Sequence, residues 1–181
     1  MVGDIPLKTT TDFLSMPPTI LPNLSILIVD DERLIQNLVY GVLSSLGFTN
    51  ITVASSGRKA LDKISTNKFD FIITDWRMDD LDGIDVVQHI RKSQKPPLCN
   101  TPIIMLTGNS EAHHVKTAIS AGVNGYLIKP FSAEQLVKRI RTVIEEPRDF
   151  VMSRNFTGPD RRHVNQPPPE GTERRKLHRN K

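Results

Sequence analysis

Five short apolar runs stand out in the middle of the chain, and each is followed by a longer stretch in which apolar residues recur every three or four positions. The runs cover residues 25–29, 51–54, 69–74, 103–106 and 125–128. Hydrophobicity is continuous along each run rather than alternating, which is typical of strands buried on both faces in a parallel sheet. The sequence therefore predicts five strands of this kind.

The stretches between the runs have the periodicity of amphipathic helices. In the first stretch apolar residues recur every four positions, at Leu34, Leu38, Val42 and Leu46, and Gly47 follows. A glycine directly after the last periodic residue is a common helix stop, because it adopts the left-handed conformation without strain. This pattern predicts a first helix that ends at Gly47.

The last stretch carries signals for both ends of a helix. Ser132 and Gln135 have the spacing of a capping box at its start, and Pro147 stops it. Strand and helix patterns thus alternate five times along the chain. Such alternation predicts an α/β fold with a doubly wound, five-stranded parallel sheet and right-handed crossovers.

The two flanks of this region differ from it in composition. Residues 1–22 hold four prolines and no periodic pattern, so we expect a flexible leader. Residues 147–181 hold three consecutive prolines and many basic residues but almost no aliphatic side chains. Such a segment buries too little apolar surface to offset its chain entropy. We therefore predict one domain over residues 23–146 and a disordered basic tail that folding does not need.

Composition and charge narrow the class of protein. Hydrophobic residues make up 38% and charged residues 24%, as in a soluble globular protein, and neither a membrane span nor a signal peptide is recognisable. The single cysteine, Cys99, excludes an intramolecular disulfide and suits the cytoplasm. The net charge of +4 arises from the tail, which holds nine basic and four acidic residues and leaves fifteen basic and sixteen acidic residues elsewhere. The folded region is thus near neutral, and its charge gives no reason to expect nucleic-acid binding.

Polar groups occur at the ends of four of the five predicted strands. Asp30 and Asp31 follow the first run, Asp75 the third, Thr107 the fourth and Lys129 the fifth. Ligands of open parallel sheets bind outside the carboxyl ends of the strands. We therefore expect these five residues to form one site.

The chemistry of this set favours phosphoryl transfer. Three carboxylates on one edge repel each other and suit a hard cation such as Mg²⁺. A carboxylate can attack phosphorus to give an aspartyl phosphate, and the Lys129 ammonium and Thr107 hydroxyl could stabilise the phosphoryl oxygens. Each residue alone has a simpler explanation: Asp31 could cap a helix, Thr107 could belong to a turn and Lys129 could be a surface lysine. All of these explanations would have to hold together on one edge, which favours the functional interpretation.

The residues around these positions resemble the response-regulator receiver family, whose best-known single-domain members serve bacterial chemotaxis. The resemblance covers about residues 23–146. It rests on Ile-Leu-Ile-Val-Asp-Asp-Glu (26–32), Ile-Thr-Asp-Trp-Arg-Met (73–78), Leu-Asp-Gly (81–83), Met-Leu-Thr-Gly (105–108) and Gly-Tyr-Leu-Ile-Lys-Pro (125–130). It implies the flavodoxin-like (βα)5 receiver fold of two-component systems.

The resemblance also implies the residues of the site. Asp75 would accept phosphate from a histidine kinase or a histidine phosphotransfer protein. Asp31, Asp75 and the backbone carbonyl of Arg77 would hold Mg²⁺, and Asp30 would act through a metal-bound water.

Further roles follow from the same resemblance. Lys129 would contact the phosphate, with a cis peptide before Pro130. Thr107 and Tyr126 would be the switch pair, in which the aromatic ring follows the hydroxyl. Such a domain is not an enzyme in the usual sense, although it assists its own phosphorylation and dephosphorylation.

Two residues depart from the family pattern. Asp79 stands where the family usually has proline, and Arg77 lies two residues past the acceptor, where a side chain can influence hydrolysis. Both leave the lifetime of the phosphate open. Arg77 also stands where aspartyl-phosphate hydrolases typically have a second aspartate, which disfavours a hydrolase.

The predicted function is that of a stand-alone response regulator or phosphorelay intermediate. No effector domain follows the receiver pattern, so the signal would leave through protein contacts of the fourth helix, fifth strand and fifth helix. An alternative makes the basic tail the effector, binding nucleic acid or an acidic protein under control of the receiver.

Overall fold

The computed structural model describes residues 24–93, 97–108, 112–145, 148–153 and 156–160. The strands are β1 (Ile26–Val29), β2 (Ile51–Ala54), β3 (Phe71–Asp75), β4 (Ile103–Thr107), β5 (Gly125–Ile128), β6 (Phe150–Ser153) and β7 (Phe156–Pro159). The helices are α1 (Arg33–Ser45), α2 (Gly57–Thr66), α3 (Gly83–Lys92), α4 (Ala112–Ala121) and α5 (Ala133–Glu145), and a 3-10 helix (Leu98–Asn100) precedes β4. No helix within these ranges is long and apolar enough to cross a bilayer.

The first five strands form one parallel sheet in the order β2-β1-β3-β4-β5. In the register of the three central neighbours, Ile28 pairs with Val53 of β2 and with Ile73 of β3. Because the chain winds in opposite directions from β1, the crevice between the ends of β1 and β3 is the topological switch point. The predicted doubly wound sheet is confirmed.

Alternate residues of the strands face two separate helical layers, since successive side chains of a strand point to opposite sides. The side that packs on α2, α3 and α4 includes Leu27, Val29, Ile72, Ile103 and Met105. The side that packs on α1 and α5 includes Ile26, Ile28, Phe71, Ile73, Ile104 and Leu106. Burial on both sides explains why the strands have continuous apolar runs in the sequence.

The apolar residues that predict α1 do not all face the core. Leu34 is 78% exposed and Leu38 is 38% exposed, whereas Val39 and Leu43 are fully buried. Four residues advance an α-helix by about 40° more than a full turn, so a strict four-residue repeat drifts around the helix. The core-facing side follows the intervening residues instead.

The predicted helix ends are confirmed. Gly47 has a φ of 89°, the left-handed conformation expected of a residue that stops a helix. The backbone N–H of Ser132 donates to the Gln135 side chain at 2.8 Å, and the Gln135 N–H donates to the Ser132 hydroxyl at 3.2 Å. This reciprocal pair is a capping box at the start of α5.

Residues 150–159 form an antiparallel hairpin, so the prediction of a disordered tail is wrong for this segment. Phe150 pairs with Pro159, and Ser153 pairs with Phe156. The second strand contacts α3, α4 and the 3-10 helix. The physical reason is close packing around glycine: a Cβ on Gly158 would lie 2.7 Å from the Cα of Gly122, so the two backbones touch. Such a contact requires almost no aliphatic side chains, and a count of aliphatic residues therefore misses it.

The hairpin also covers a buried arginine. The Arg91 side chain, from the end of α3, is 3% exposed, and its guanidinium carbon lies 5.0 Å from the centre of the Phe150 ring. Burial lowers the pKa of Arg91 to about 9. Its guanidinium is satisfied by the carbonyl oxygens of Gly122, Cys99 and Thr101 and by the Asn124 side chain.

The predicted leader over residues 1–22 and the tail beyond residue 160 lie outside the described residues.

Substitution of Gly158 by alanine should destabilise the protein. The added methyl group would lie 2.7 Å from the Gly122 backbone and 2.7 Å from the Phe156 ring, so one of them must move. We expect a loss of about 1–3 kcal/mol in the free energy of unfolding, the usual cost of an overpacked contact. Urea denaturation followed by circular dichroism measures it.

Gly41→Ala is the matched control. Nothing lies within 4 Å of a Cβ at Gly41, which is in the middle of α1, so alanine should stabilise that helix by roughly 0.5–1 kcal/mol. Equal stability of the Gly158→Ala protein and the wild type would show that the hairpin is not packed on α4.

Candidate functional site

Four strand ends meet at one edge of the sheet, beside the switch point between β1 and β3. Asp30 directly follows β1, Asp75 is the last residue of β3, Thr107 is the last residue of β4, and Lys129 directly follows β5. Asp30, Asp75 and Thr107 are buried. The five residues predicted from the strand ends include Asp31, which lies beside Asp30, so the structure brings this edge together as expected.

The Lys129 ammonium connects the strand ends. Its Nζ lies 2.8 Å from Oδ1 of Asp75, 3.0 Å from Oδ2 of Asp30 and 3.3 Å from Oε1 of Glu32. Three N–H donors are therefore matched by three carboxylates. The Glu32 N–H also donates to Oδ1 of Asp30 at 2.8 Å. Residue-by-residue reasoning misses Glu32, although its place directly after the aspartate pair is a usable signal.

The acidic residues form a cluster with the composition of a magnesium site. Carboxylate oxygens of Asp30, Asp31 and Asp75 all lie within 4.8 Å of one another. Lys129 balances only one of these three negative charges. Hard oxygen donors and an excess of negative charge fit Mg²⁺.

Burial sets the protonation of the cluster. Desolvation raises the pKa of Asp30 to about 6, although hydrogen bonds from the Glu32 backbone and Lys129 oppose the shift. Desolvation likewise raises the pKa of Asp75, again against the hydrogen bond from Lys129. For Lys129 burial lowers the pKa, but the carboxylates of Asp75 and Asp30 outweigh it and the net shift is upward. The lysine therefore stays charged while the two carboxylates bind protons more readily than usual.

The backbone around Asp75 is fixed by close contacts. A Cβ on Gly83 would collide with the Asp75 carbonyl oxygen, so only glycine lets α3 begin this close to the acceptor strand. The Gly83 N–H donates to the Trp76 carbonyl at 2.8 Å, and the Trp76 N–H donates to the Leu106 carbonyl at 2.7 Å. The Thr74 hydroxyl donates to the Asp75 carbonyl at 3.0 Å. Asp75 thus has little freedom to move.

The acidic turn after Asp75 has a structural function. The Asp80 carboxylate accepts hydrogen bonds from the N–H groups of Gly57 and Arg58, at 3.1 and 3.3 Å, at the start of α2. The Ser56 side chain also bonds it and is the main reason why the pKa of Asp80 is lowered. Negative charge at a helix N-terminus is favourable. Asp80 therefore holds the loop after β3 against α2 and does not belong to the carboxylate cluster.

Thr107 and Tyr126 leave the same side of the sheet. Met105 pairs with Tyr126 and Thr107 pairs with Ile128 in the register of β4 and β5. Alternate residues share a side, so the side chains of Thr107 and Tyr126 project from neighbouring positions. The guanidinium carbon of Arg139, on α5, lies 5.7 Å from the centre of the Tyr126 ring, within the range of a cation–π contact.

Two further predicted features lie next to the cluster. Arg77 is exposed, in the loop that directly follows β3. The Lys129–Pro130 peptide bond is cis, as the resemblance implies.

Comparison with known proteins identifies the family. Residues 26–141 match the response regulator receiver domain. The chain is 37% identical over 122 residues to the chemotaxis protein CheY of Pseudomonas aeruginosa, which spans 67% of this chain and 97% of that protein. It is also 37% identical over 123 residues to the chemotaxis protein CheY-3 of Vibrio cholerae, over 68% of this chain and 93% of that protein.

Solved structures agree with this result. The chemotaxis response regulator CheY4 of Vibrio cholerae superimposes with a TM-score of 0.61 at 32% identity, covering 66% of this chain and 98% of that one. The receiver domain of the sensor histidine kinase PA1611 from Pseudomonas aeruginosa, with magnesium in its active site cleft, has a TM-score of 0.60 at 30% identity and covers 67% and 98%. The chain belongs to the response-regulator receiver family and acts in phosphorelay signalling.

The free energy of unfolding of the metal-free protein should depend on pH through Asp30. Because the pKa of Asp30 is raised from 3.8 to about 6, the folded protein binds more protons than the unfolded chain between these values. The contribution of Asp30 is therefore fully present below about pH 4 and is lost as pH rises through about 6, by at most about 3 kcal/mol. Urea denaturation from pH 4 to pH 8 in a chelator measures this.

Asp30→Asn isolates the contribution of this group, since the other titrating groups are unchanged. The difference in unfolding free energy between the variant and the wild type should change across this window and level off above it. A constant difference from pH 4 to pH 8 would mean that the pKa of Asp30 is not raised.

Proposed function

We propose that Asp75 is the phosphoacceptor and that it receives the phosphoryl group from a phosphohistidine of a histidine kinase or histidine phosphotransfer protein. The contact of Lys129 with Asp75 at 2.8 Å, beside two further carboxylates, carries this proposal. It places a cation directly on the oxygen set that would bear the phosphoryl group. Membership of the receiver family supports the same donor class.

In the proposed reaction a carboxylate oxygen of Asp75 attacks the phosphorus atom. A P–O bond forms while the P–N bond to the donor imidazole breaks. The imidazole nitrogen leaves with the bonding electron pair and takes up a proton. Lys129 and the Thr107 hydroxyl donate hydrogen bonds to the phosphoryl oxygens, and the raised pKa of Asp75 reflects the same burial that excludes water.

Asp31, Asp75 and the backbone carbonyl of Arg77 would hold Mg²⁺, with Asp30 acting through a metal-bound water. Bound Mg²⁺ supplies positive charge to the phosphoryl oxygens during transfer. The clustered oxygens of three aspartates support this assignment. Asp30 orients Lys129 in addition, because the two side chains are 3.0 Å apart.

We further infer a stand-alone regulator in the cytoplasm, with no enzymatic activity other than on its own phosphate. Its output surface comprises α4, β5 and α5, where the Tyr126 ring reports on Thr107. Arg139 supports this placement, because its contact with Tyr126 connects β5 to α5. The receiver unit spans residues 23–146, and the hairpin of β6 and β7 is added to it.

Asp75→Ala should abolish phosphate uptake from a small phosphodonor such as acetyl phosphate in the presence of Mg²⁺. No other carboxylate of the cluster lies at the end of β3, in contact with Lys129 and fixed by Gly83. Incorporation of acid-stable and base-labile radiolabelled phosphate, resolved by gel electrophoresis, measures uptake.

Asp79→Ala is the matched control, because Asp79 is an exposed carboxylate four residues further along the same loop. This variant should be labelled at the wild-type level. Undiminished labelling of the Asp75→Ala protein would disprove the assignment of the acceptor.

Mg²⁺ should bind the protein weakly and change the fluorescence of Trp76, which directly follows the acceptor. We expect Asp31→Asn to weaken binding about tenfold or more, since it removes one of few charged ligands. The control is Asp62→Asn, which removes the same charge from an exposed position on α2. Identical titrations of the Asp31→Asn protein and the control would show that the metal site is elsewhere.

A further inference from the structure

The hairpin of β6 and β7 lies at the edge of the sheet opposite to Asp75. Its second strand contacts the 3-10 helix that precedes β4 and the C-terminal end of α4, which precedes β5. These are the amino ends of two strands whose carboxyl ends carry Thr107 and Lys129. The hairpin and the phosphoacceptor are therefore joined by the same two strands.

The hairpin meets α4 through backbone contacts that leave no room. Gly122 directly follows α4, and a Cβ there would lie 2.6 Å from the Thr157 carbonyl oxygen. From the other side, a Cβ on Gly158 would lie 2.7 Å from the Gly122 Cα. A shift of the end of α4 toward the hairpin is thus blocked, and a shift away from it opens the contact.

Arg91 connects the hairpin to the starts of both strands. Beneath the Phe150 ring, its guanidinium donates to the Thr101 carbonyl at 2.8 Å, before β4, and to the Asn124 side chain at 3.1 Å, before β5. The same Asn124 oxygen accepts from the Ile103 N–H of β4 at 3.0 Å. One buried cation thereby holds the hairpin, β4 and β5 in a single arrangement.

That arrangement is the one in which Lys129 contacts the free carboxylate of Asp75 directly. A phosphoryl group on Asp75 needs space between the carboxylate and the ammonium, so the end of β5 has to adjust. Packed elements respond to such a change by moving as units, because their contacts are not continuously deformable.

We propose that the hairpin is a built-in clamp on α4 and β5, which holds the arrangement in which Lys129 contacts Asp75 and opposes phosphoryl acceptance. The inference rests on the proposed function of Asp75. Since coupling between two sites is reciprocal, weakening the clamp strengthens binding of a phosphoryl group, and a bound phosphoryl group loosens the hairpin.

The test uses full-length protein with Mg²⁺ and beryllofluoride, an aspartyl-phosphate mimic, titrated by Trp76 fluorescence. Phe150→Leu removes the aromatic contact with Arg91 but keeps an apolar strand residue, and Gly158→Ala opens the contact with Gly122. Each should bind beryllofluoride about fivefold more tightly than the wild type, the lower end of common coupling strengths. Gly41→Ala serves as the control and should bind like the wild type.

Hydrogen exchange of the wild type supplies a measurement that needs no variant. Saturation with beryllofluoride should accelerate exchange of the β6 and β7 amides. Unchanged or weaker binding by both hairpin variants, or unchanged exchange in the wild type, overturns the clamp. Failure of the wild type to bind beryllofluoride, or equal binding by Asp75→Ala, would instead overturn the assignment of Asp75, so the two failures are distinguishable.

Discussion

A single ammonium group organises the functional edge of this protein. Lys129 enters from β5 and reaches Asp30 after β1 and Asp75 on β3, so its charge bridges three of the five parallel strands. Without it, Asp30, Asp31 and Asp75 would be clustered carboxylates in a partly desolvated crevice, where mutual repulsion and burial both oppose ionisation. The continuous apolar strands provide the rigid support on which these charges can be held close together.

The backbone below the carboxylates is as constrained as the side chains. Gly83 begins α3 against the Asp75 carbonyl, and a Cβ on Gly57 would collide with the Leu81 carbonyl where α2 meets the loop after β3. Asp80 completes this contact from the loop by capping α2. The loop that carries Arg77 is therefore fixed at both ends, and a side chain there projects from a rigid support rather than from a mobile segment.

The sheet and the site could be predicted because both depend on simple periodic rules. Buried parallel strands require continuous apolar runs, and the residues that follow such runs meet at one edge, which is sufficient to bring Asp30, Asp75 and Lys129 together. Glu32 could not be assigned this way, since its approach to Lys129 depends on where α1 begins relative to β1. The outward position of Leu34 was hidden for a related reason: a four-residue repeat does not state which side of the helix meets the sheet. The hairpin was missed because Gly158 and Gly122 pack through backbone atoms, and no hydrophobic pattern records such a contact.

The hairpin also determines where the chain leaves the domain. Asp160 follows β7, and its N–H donates to the Asp149 carbonyl at 2.7 Å, which closes the base of the hairpin at the edge opposite to the carboxylates. Strands of four or five residues separate the two edges by roughly 15 Å. Anything tethered through the residues beyond 160 is therefore anchored on the far side of the sheet. A surface or a large assembly held there would leave the approach to Asp75 open, so anchoring and phosphoryl exchange can occur on the same molecule at the same time.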